Sequence, residues 1–228
     1  MLTRRNYTGT FEAHITVNTT NLVAREKFCL LCKTLGVKCV LIELPQGLTR
    51  SQPMTASYHH GTLTSVFCKV QSIAQKLIEA GFEVTRIKIE AMLSNRDVPA
   101  TDDEALELPV TNYFEFHVKV ILSAITDINL LQQYCHKHDA HLSANAFKQE
   151  IDGQQQRFIT MRLYNLGKYT AQSRFDLLLV GLKAKGLKLC QQQREYTVYD
   201  SNINLDAGWI ESQKPRQFKI QNSKFKIY

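Results

Sequence analysis

The chain has 228 residues, 44% of them apolar and 21% charged, which suits a folded domain and excludes a disordered one. Its 28 basic and 21 acidic residues give a formal charge of +7, so an anionic partner such as a small phosphorylated ligand or an RNA end is favoured. No stretch reaches the ~18 apolar residues of a membrane span, and residues 1–6 lack the apolar core of a secretory signal; no membrane partner and a cytoplasmic location are expected.

Residues 11–17 read Phe-Glu-Ala-His-Ile-Thr-Val. Such alternation predicts a strand that buries Phe11, Ala13, Ile15 and Val17 and turns Glu12, His14 and Thr16 the other way. Thr20 is placed to cap a helix over about 21–35, which Gly36 ends. Strands are expected over 37–44 and 54–60, an amphipathic helix over 65–80 before Gly81, and a strand over 84–91. Residues 93–109, with Pro99, Pro109 and the acidic run Asp102, Asp103, Glu104 and Glu107, have the composition of a linker.

The first heptad then returns. Residues 114–120 read Phe-Glu-Phe-His-Val-Lys-Val, with His117 in the place of His14 and Lys119 in the place of Thr16. Asp127 can cap a shorter helix through Leu130, Leu131 and Tyr134. Strands near 141–149 and over 157–164, a helix over 171–185 before Gly186 and a strand over 189–198 complete the second series. Residues 206–228 form a basic tail whose alternating Phe218, Ile220, Phe225 and Ile227 could add an edge strand or hairpin.

Each half is therefore β-α-β-β-α-β, the ferredoxin-like order. The expected fold is α+β: a tandem duplication with two antiparallel four-stranded sheets, each with helices on one face. The first lobe spans 1–103, with the acidic linker from about 93, and the second spans 104–228 with the basic tail.

Period-two parity puts Glu12, His14, Thr16, Thr55, Ser57, His59, Arg86, Lys88 and Glu90 on the helix-free face of the first lobe. In the second lobe it puts Glu115, His117, Lys119, Thr160, Arg162, Tyr164, Gln191, Gln193 and Glu195 there. If the lobes meet across a pseudo-twofold axis, these sets converge on one cleft. Arg86, Lys88, Lys119 and Arg162 would make it positive.

His14-Ile15-Thr16-Val17 is a His-x-Thr-hydrophobic motif, and His117-Val118-Lys119-Val120 stands where a second copy belongs. One such motif per lobe resembles the two-histidine phosphoesterases, the RNA ligase and cyclic-nucleotide phosphodiesterase-like group. That resemblance implies metal-independent hydrolysis of a cyclic or 2′,5′ phosphodiester of a nucleotide or RNA end. His14 and His117 would be the general acid and base, with Thr16 and Lys119 on the phosphoryl oxygens. Lys119 replaces the family's Thr or Ser, and a lysine can still stabilise phosphoryl charge. His60-Gly61-Thr62-Leu63 repeats the motif within the first lobe. His59, His60, Thr62, Arg86, Lys88, Arg162 and Tyr164 are accordingly candidate substrate-binding residues.

A second reading has a non-catalytic module binding a nucleotide, RNA or a protein on the same faces. Tyr164 is the one aromatic assigned to those faces, so small-anion binding is favoured over base stacking on the sheet. Cys29-x-x-Cys32 falls inside a helix and reads as core packing, the histidines of 136–141 read as a solvated loop, and Asp200 in 199–202 and Asp206 in 206–209 read as turn residues. No metal site or cofactor is expected. Trp209, the single tryptophan, is expected to pack as core or lid, with base stacking at the cleft mouth as the alternative.

Overall fold

A computed structural model describes residues 5–143 and 155–210. Eight strands, β1 (Thr8–Asn18), β2 (Lys38–Glu43), β3 (Ser51–Thr62), β4 (Glu83–Met92), β5 (Tyr113–Leu122), β6 (Ala140–Leu142), β7 (Gln155–Tyr164) and β8 (Lys188–Asp200), form one antiparallel sheet. Helices α1 (Leu22–Thr34), α2 (Leu63–Glu79), α4 (Ile128–Lys137) and α5 (Lys168–Ala184) alternate with them, and α3 (Asp102–Leu106) is a short helix between the halves. The chain is α+β.

The sheet order is β2-β3-β1-β4-β8-β5-β7-β6. The expected β-α-β-β-α-β order therefore occurs in both halves, but the expectation of two separate four-stranded sheets is corrected. The last strand of each half would otherwise be an edge with unpaired N–H and C=O groups. Instead β4 and β8 pair with each other, from Lys88 opposite Asp200 to Met92 opposite Glu195.

One face of the sheet carries the core. Phe11, Ala13, Ile15 and Val17 and their counterparts Phe114, Phe116, Val118 and Val120 are almost fully buried against Phe28 of α1, Val66 and Val70 of α2, Leu131 of α4 and Phe175 of α5. Each large side chain so buried contributes about 1.5–3 kcal/mol. The alternation read from the sequence is what places them.

Helix starts differ from expectation for local reasons. Asn21, not Thr20, caps α1, its Oδ1 accepting from the Ala24 N–H at 2.9 Å. Asp127 caps α4 as expected, accepting from Leu130 N–H at 3.0 Å. Thr62 caps α2 through its hydroxyl, so this candidate substrate ligand has a structural partner in Ser65 N–H at 3.2 Å.

Residues 93–109 are more than a linker. The N–H groups of Lys168 and Tyr169 donate to the carbonyls of Pro99 and Ala100, and Gly167 N–H donates to Asp102 at 2.8 Å. The approach is close enough that a Cβ at Gly167 would lie 2.3 Å from the Thr101 carbonyl carbon, so only glycine fits there. The strand expected near 141–149 is observed over Ala140–Leu142, and its remainder lies outside the described residues, as does the tail beyond 210. No helix among the described residues is long and apolar enough to cross a membrane.

Candidate ligand-binding site

Opposite the helix-bearing core, both halves line a cavity of about 610 Å³. That lies within the ~300–1,000 Å³ of small-molecule sites. Register fixes who faces it. His14 stands beside Lys88 on β4 and Ala56 on β3, while His117 stands beside Gln193 on β8 and Thr160 on β7. The parity assigned to β1, β4, β5, β7 and β8 is therefore observed.

On β3 the parity is corrected by one residue. Met54, Ala56 and Tyr58 lie beside Thr16, His14 and Glu12 and share their face. Thr55, Ser57 and His59 lie beside Ile15, Ala13 and Phe11, on the helix side. Ser57 and His59 nevertheless line the cavity where it reaches round this strand; His59 bonds Ser57 Oγ at 2.9 Å, and burial and the charge of Lys69 push its pKa down. His60 is exposed at the strand end, 3.3 Å from Thr10 Oγ1, and does not line the cavity. Tyr164 packs on Tyr113 at 5.1 Å between ring centres and does not line it either.

The floor is an ion network. Arg86 holds Asp200 through Nε at 2.9 Å and Nη2 at 2.5 Å, and Asp206 at 3.0 Å. Arg162 holds Glu115 at 2.6 Å and Asp206 at 2.7 Å. Lys88 Nζ lies between Glu115 at 2.7 Å and Glu90 at 3.0 Å. Of the four cations expected to make the cavity positive, Arg86, Lys88 and Arg162 are buried with their charge taken up by carboxylates, which corrects the expectation for them, while Lys119 lines the cavity. Burial alone would raise the carboxyl pKa values, but Lys88 and His14 outweigh it and hold Glu90 down at about 2. Arg162 and Lys88 likewise hold Glu115 well below the carboxylate range.

Both candidate catalytic histidines end on this network. His14 Nε2 is 3.3 Å from Glu90 and 3.8 Å from Glu12, and its Nδ1 is 3.2 Å from the Thr55 carbonyl oxygen. The three oxygens within reach of that ring are all acceptors. His117 Nε2 is 3.4 Å from Glu115, and its Nδ1 is 2.9 Å from Thr160 Oγ1. The two rings are thus the ends of one continuous chain, His14–Glu90–Lys88–Glu115–His117. Thr16 is buried beside Arg86, and Lys119 Nζ lies 5.1 Å over the Phe158 ring.

The halves treat equivalent carboxylates differently. Glu115 meets Arg162 and Lys88, whereas Glu12 accepts from Tyr58 at 2.8 Å and Gln193 at 2.5 Å, neutral donors at the corresponding positions. Glu195 on β8 meets no cation within ion-pair distance among the described residues. Burial, then the charges of Glu90 and Glu12, raise its pKa well above the carboxylate range.

No protein-family model and no curated protein matches the chain. Among solved structures, a putative chlorite dismutase aligns over 83% of this chain and 94% of its own, at 11% identity and a TM-score of 0.26. A likeness that slight carries no argument about fold or function.

Sequence reasoning missed Asp200 and Asp206, which had the look of turn residues. Asp206 precedes Trp209, whose side chain lines the cavity and packs with Leu44 and Ile210. Among the described residues, no group of three or more His, Cys, Asp or Glu is arranged to hold a metal ion.

The state of Glu195 makes a pH prediction. A carboxyl with a raised folded-state pKa binds a proton on folding, so it costs stability as pH rises above its unfolded value of about 4.3. Glu195→Gln removes that cost while leaving an amide to donate to Glu12. The variant should melt higher than the parent at pH 8 and equally at pH 4. Equal melting at both pH values would contradict the assignment.

Proposed function

We propose that the protein binds a small polar organic molecule in this cavity. The observation that carries the reading is the cavity itself. Its floor of buried ion pairs is fixed, its walls include Val40, Ile42, Met54 and Trp209, and both halves contribute to it. Rigid, satisfied polar groups beneath an apolar wall favour orienting one ligand over adapting to many. We read the two halves as copies of one ferredoxin-like unit, brought by the β4–β8 pairing to share one site.

Phosphodiester hydrolysis by His14 and His117 is a second reading, favoured by one observation: histidines at equivalent positions of the two halves line the same cavity, each backed by a glutamate. A carboxylate can orient an imidazole for proton transfer. Against it, the nitrogens of both rings are already engaged, so either ring has to release a partner to act as base.

Thermal shift with a panel of aromatic amines, alcohols and carboxylates and of nucleotides, 2′,3′-cyclic AMP included, tests the first reading. A ligand at a hundred times its Kd adds about 2.7 kcal/mol, a rise of roughly 5–10 °C for a chain of this size. A panel without any stabilising member would sink it. Turnover of 2′,3′-cyclic AMP that His14→Ala and His117→Ala each lower by about 10²–10⁴-fold would establish the second reading. Absence of turnover in the parent protein would end it.

A further inference from the structure

Four glutamates cross the four central strands in a row: Glu12 on β1, Glu90 on β4, Glu195 on β8 and Glu115 on β5. Glu12 is directly opposite Glu90, and Glu195 is directly opposite Glu115. Like charges facing each other across strands repel, so such a row persists only where something compensates it. For three of the four the compensation is visible. Glu115 has Arg162 and Lys88, Glu90 has Lys88 and His14, and Glu12 has the Tyr58 hydroxyl and the Gln193 amide.

Among the described residues Glu195 has no cation and no neutral donor of this kind; its one carboxyl contact is the hydrogen bond it shares with Glu12. It is 1% exposed, it lines the cavity, and its Oε1 has no hydrogen-bond partner among the described residues. The groups that face it are Glu12 on β1, Tyr58 on β3, Glu90 and Lys88 on β4 and Glu115 on β5. Lys88, the one cation among them, has Glu90 and Glu115 as its contacts. The wider balance agrees. Three buried cations (Arg86, Lys88, Arg162) share the network with six carboxylates (Glu12, Glu90, Glu115, Glu195, Asp200, Asp206). Even with protons on both histidines, the floor has no positive charge to spare for Glu195.

We propose that Glu195, with Glu12 beside it, receives the cationic head of the cavity's ligand, a primary ammonium or an amidinium, while the rest of that ligand lies along the apolar wall. The proposal rests on the small-molecule reading of the cavity and names the ligand's class. It reverses the preference for anions that the net charge of the chain suggested. Without ligand, Glu195 is kept neutral by its own carboxyl proton. When an ammonium enters, that proton leaves to solvent, and an R–NH₃⁺···⁻OOC contact replaces the O–H bond. Charge balances, and one proton is released for each molecule bound.

Isothermal titration calorimetry of the full chain with benzylamine, benzyl alcohol and benzoate tests it, because the three share a ring and differ in charge. A charged hydrogen bond in a buried site predicts benzylamine binding about 10- to 100-fold tighter than benzyl alcohol, with benzoate weakest. The apparent enthalpy for benzylamine should change with the ionisation enthalpy of the buffer, as proton release requires. Glu195→Gln should bring the amine within about twofold of the alcohol and leave the alcohol unchanged. Benzyl alcohol or benzoate binding as tightly as benzylamine would overturn the cationic head and leave the cavity reading in place. Failure of all three to bind would overturn both. An amine preference that survives in Glu195→Gln would place the head elsewhere and overturn the proposal as stated.

Discussion

Arg162→Leu should lower the melting temperature by roughly 6–20 °C at pH 7. The guanidinium lies between Glu115 at 2.6 Å and Asp206 at 2.7 Å, with all three side chains almost wholly out of solvent. Removing one partner of a buried ion pair leaves an uncompensated charge and costs about 3–5 kcal/mol. For a chain of this length each kcal/mol moves the melting temperature by roughly 2–4 °C. Both carboxyls are held below their ordinary pKa by Arg162, overriding the effect of burial. A depressed carboxyl stabilises the fold above its unfolded pKa of about 4 and loses that contribution as pH falls through the folded value. In the variant the two groups take up protons more readily, so the gap between parent and variant should narrow from pH 7 towards pH 4. Melting curves at both pH values check this. A difference under about 1 kcal/mol at pH 7, the value of an exposed pair, would mean that the network is solvated.

Residues 1–103 expressed alone should fail to give a stable monomer, and so should 104–228. Each half has its own pair of helices on its own strands, which argues for autonomy, yet the apolar core is one cluster spanning both halves and the network beneath the cavity is divided between them. In the first half Arg86 would lose Asp200 and Asp206, and Lys88 would lose Glu115. Stranding two buried cations costs several kcal/mol out of a total stability of about 5–15. Strand β4 would also lose its partner β8 and expose backbone groups that invite pairing with another copy. Size-exclusion chromatography and circular dichroism should find aggregates or dimers, and co-expression of both pieces should restore the soluble, folded protein. A monodisperse monomer of 1–103 that unfolds cooperatively would contradict the shared floor.

The repeat was legible because it rests on side-chain parity. Phe11–Val17 and Phe114–Val120 alternate so strictly that one face had to be core, and the opposite positions on five of the strands were read correctly. Parity failed on β3, where Thr55, Ser57 and His59 are the polar residues, while Met54, Ala56 and Tyr58 face the cavity. A wall of methionine, alanine and tyrosine on a polar site reads as core from the sequence. The joining of the sheets was not legible, because β4 and β8 pair through backbone groups that every strand carries. Nor were the partners of the basic residues. Arg86 and Arg162 suggested an anion site only while Asp206 stood as a turn residue; its carboxylate joins both arginines, 120 and 44 residues away in the chain.

Trp209 is the single tryptophan of the chain, 8% exposed, at the wall of the cavity, with its indole Nε1 unpartnered among the described residues and the His141 ring 6.0 Å away. All tryptophan fluorescence therefore comes from one indole that lines the cavity. Its emission should be blue-shifted in the folded chain and should move red when the cavity wall opens, so equilibrium unfolding of this wall can be followed without a label. Burial and the neighbouring His136 push the His141 pKa down to about 4. Charging of the imidazole beside the indole, and with it any quenching by that ring, is therefore confined to acid, which leaves the neutral range optically clean for titrating a colourless ligand.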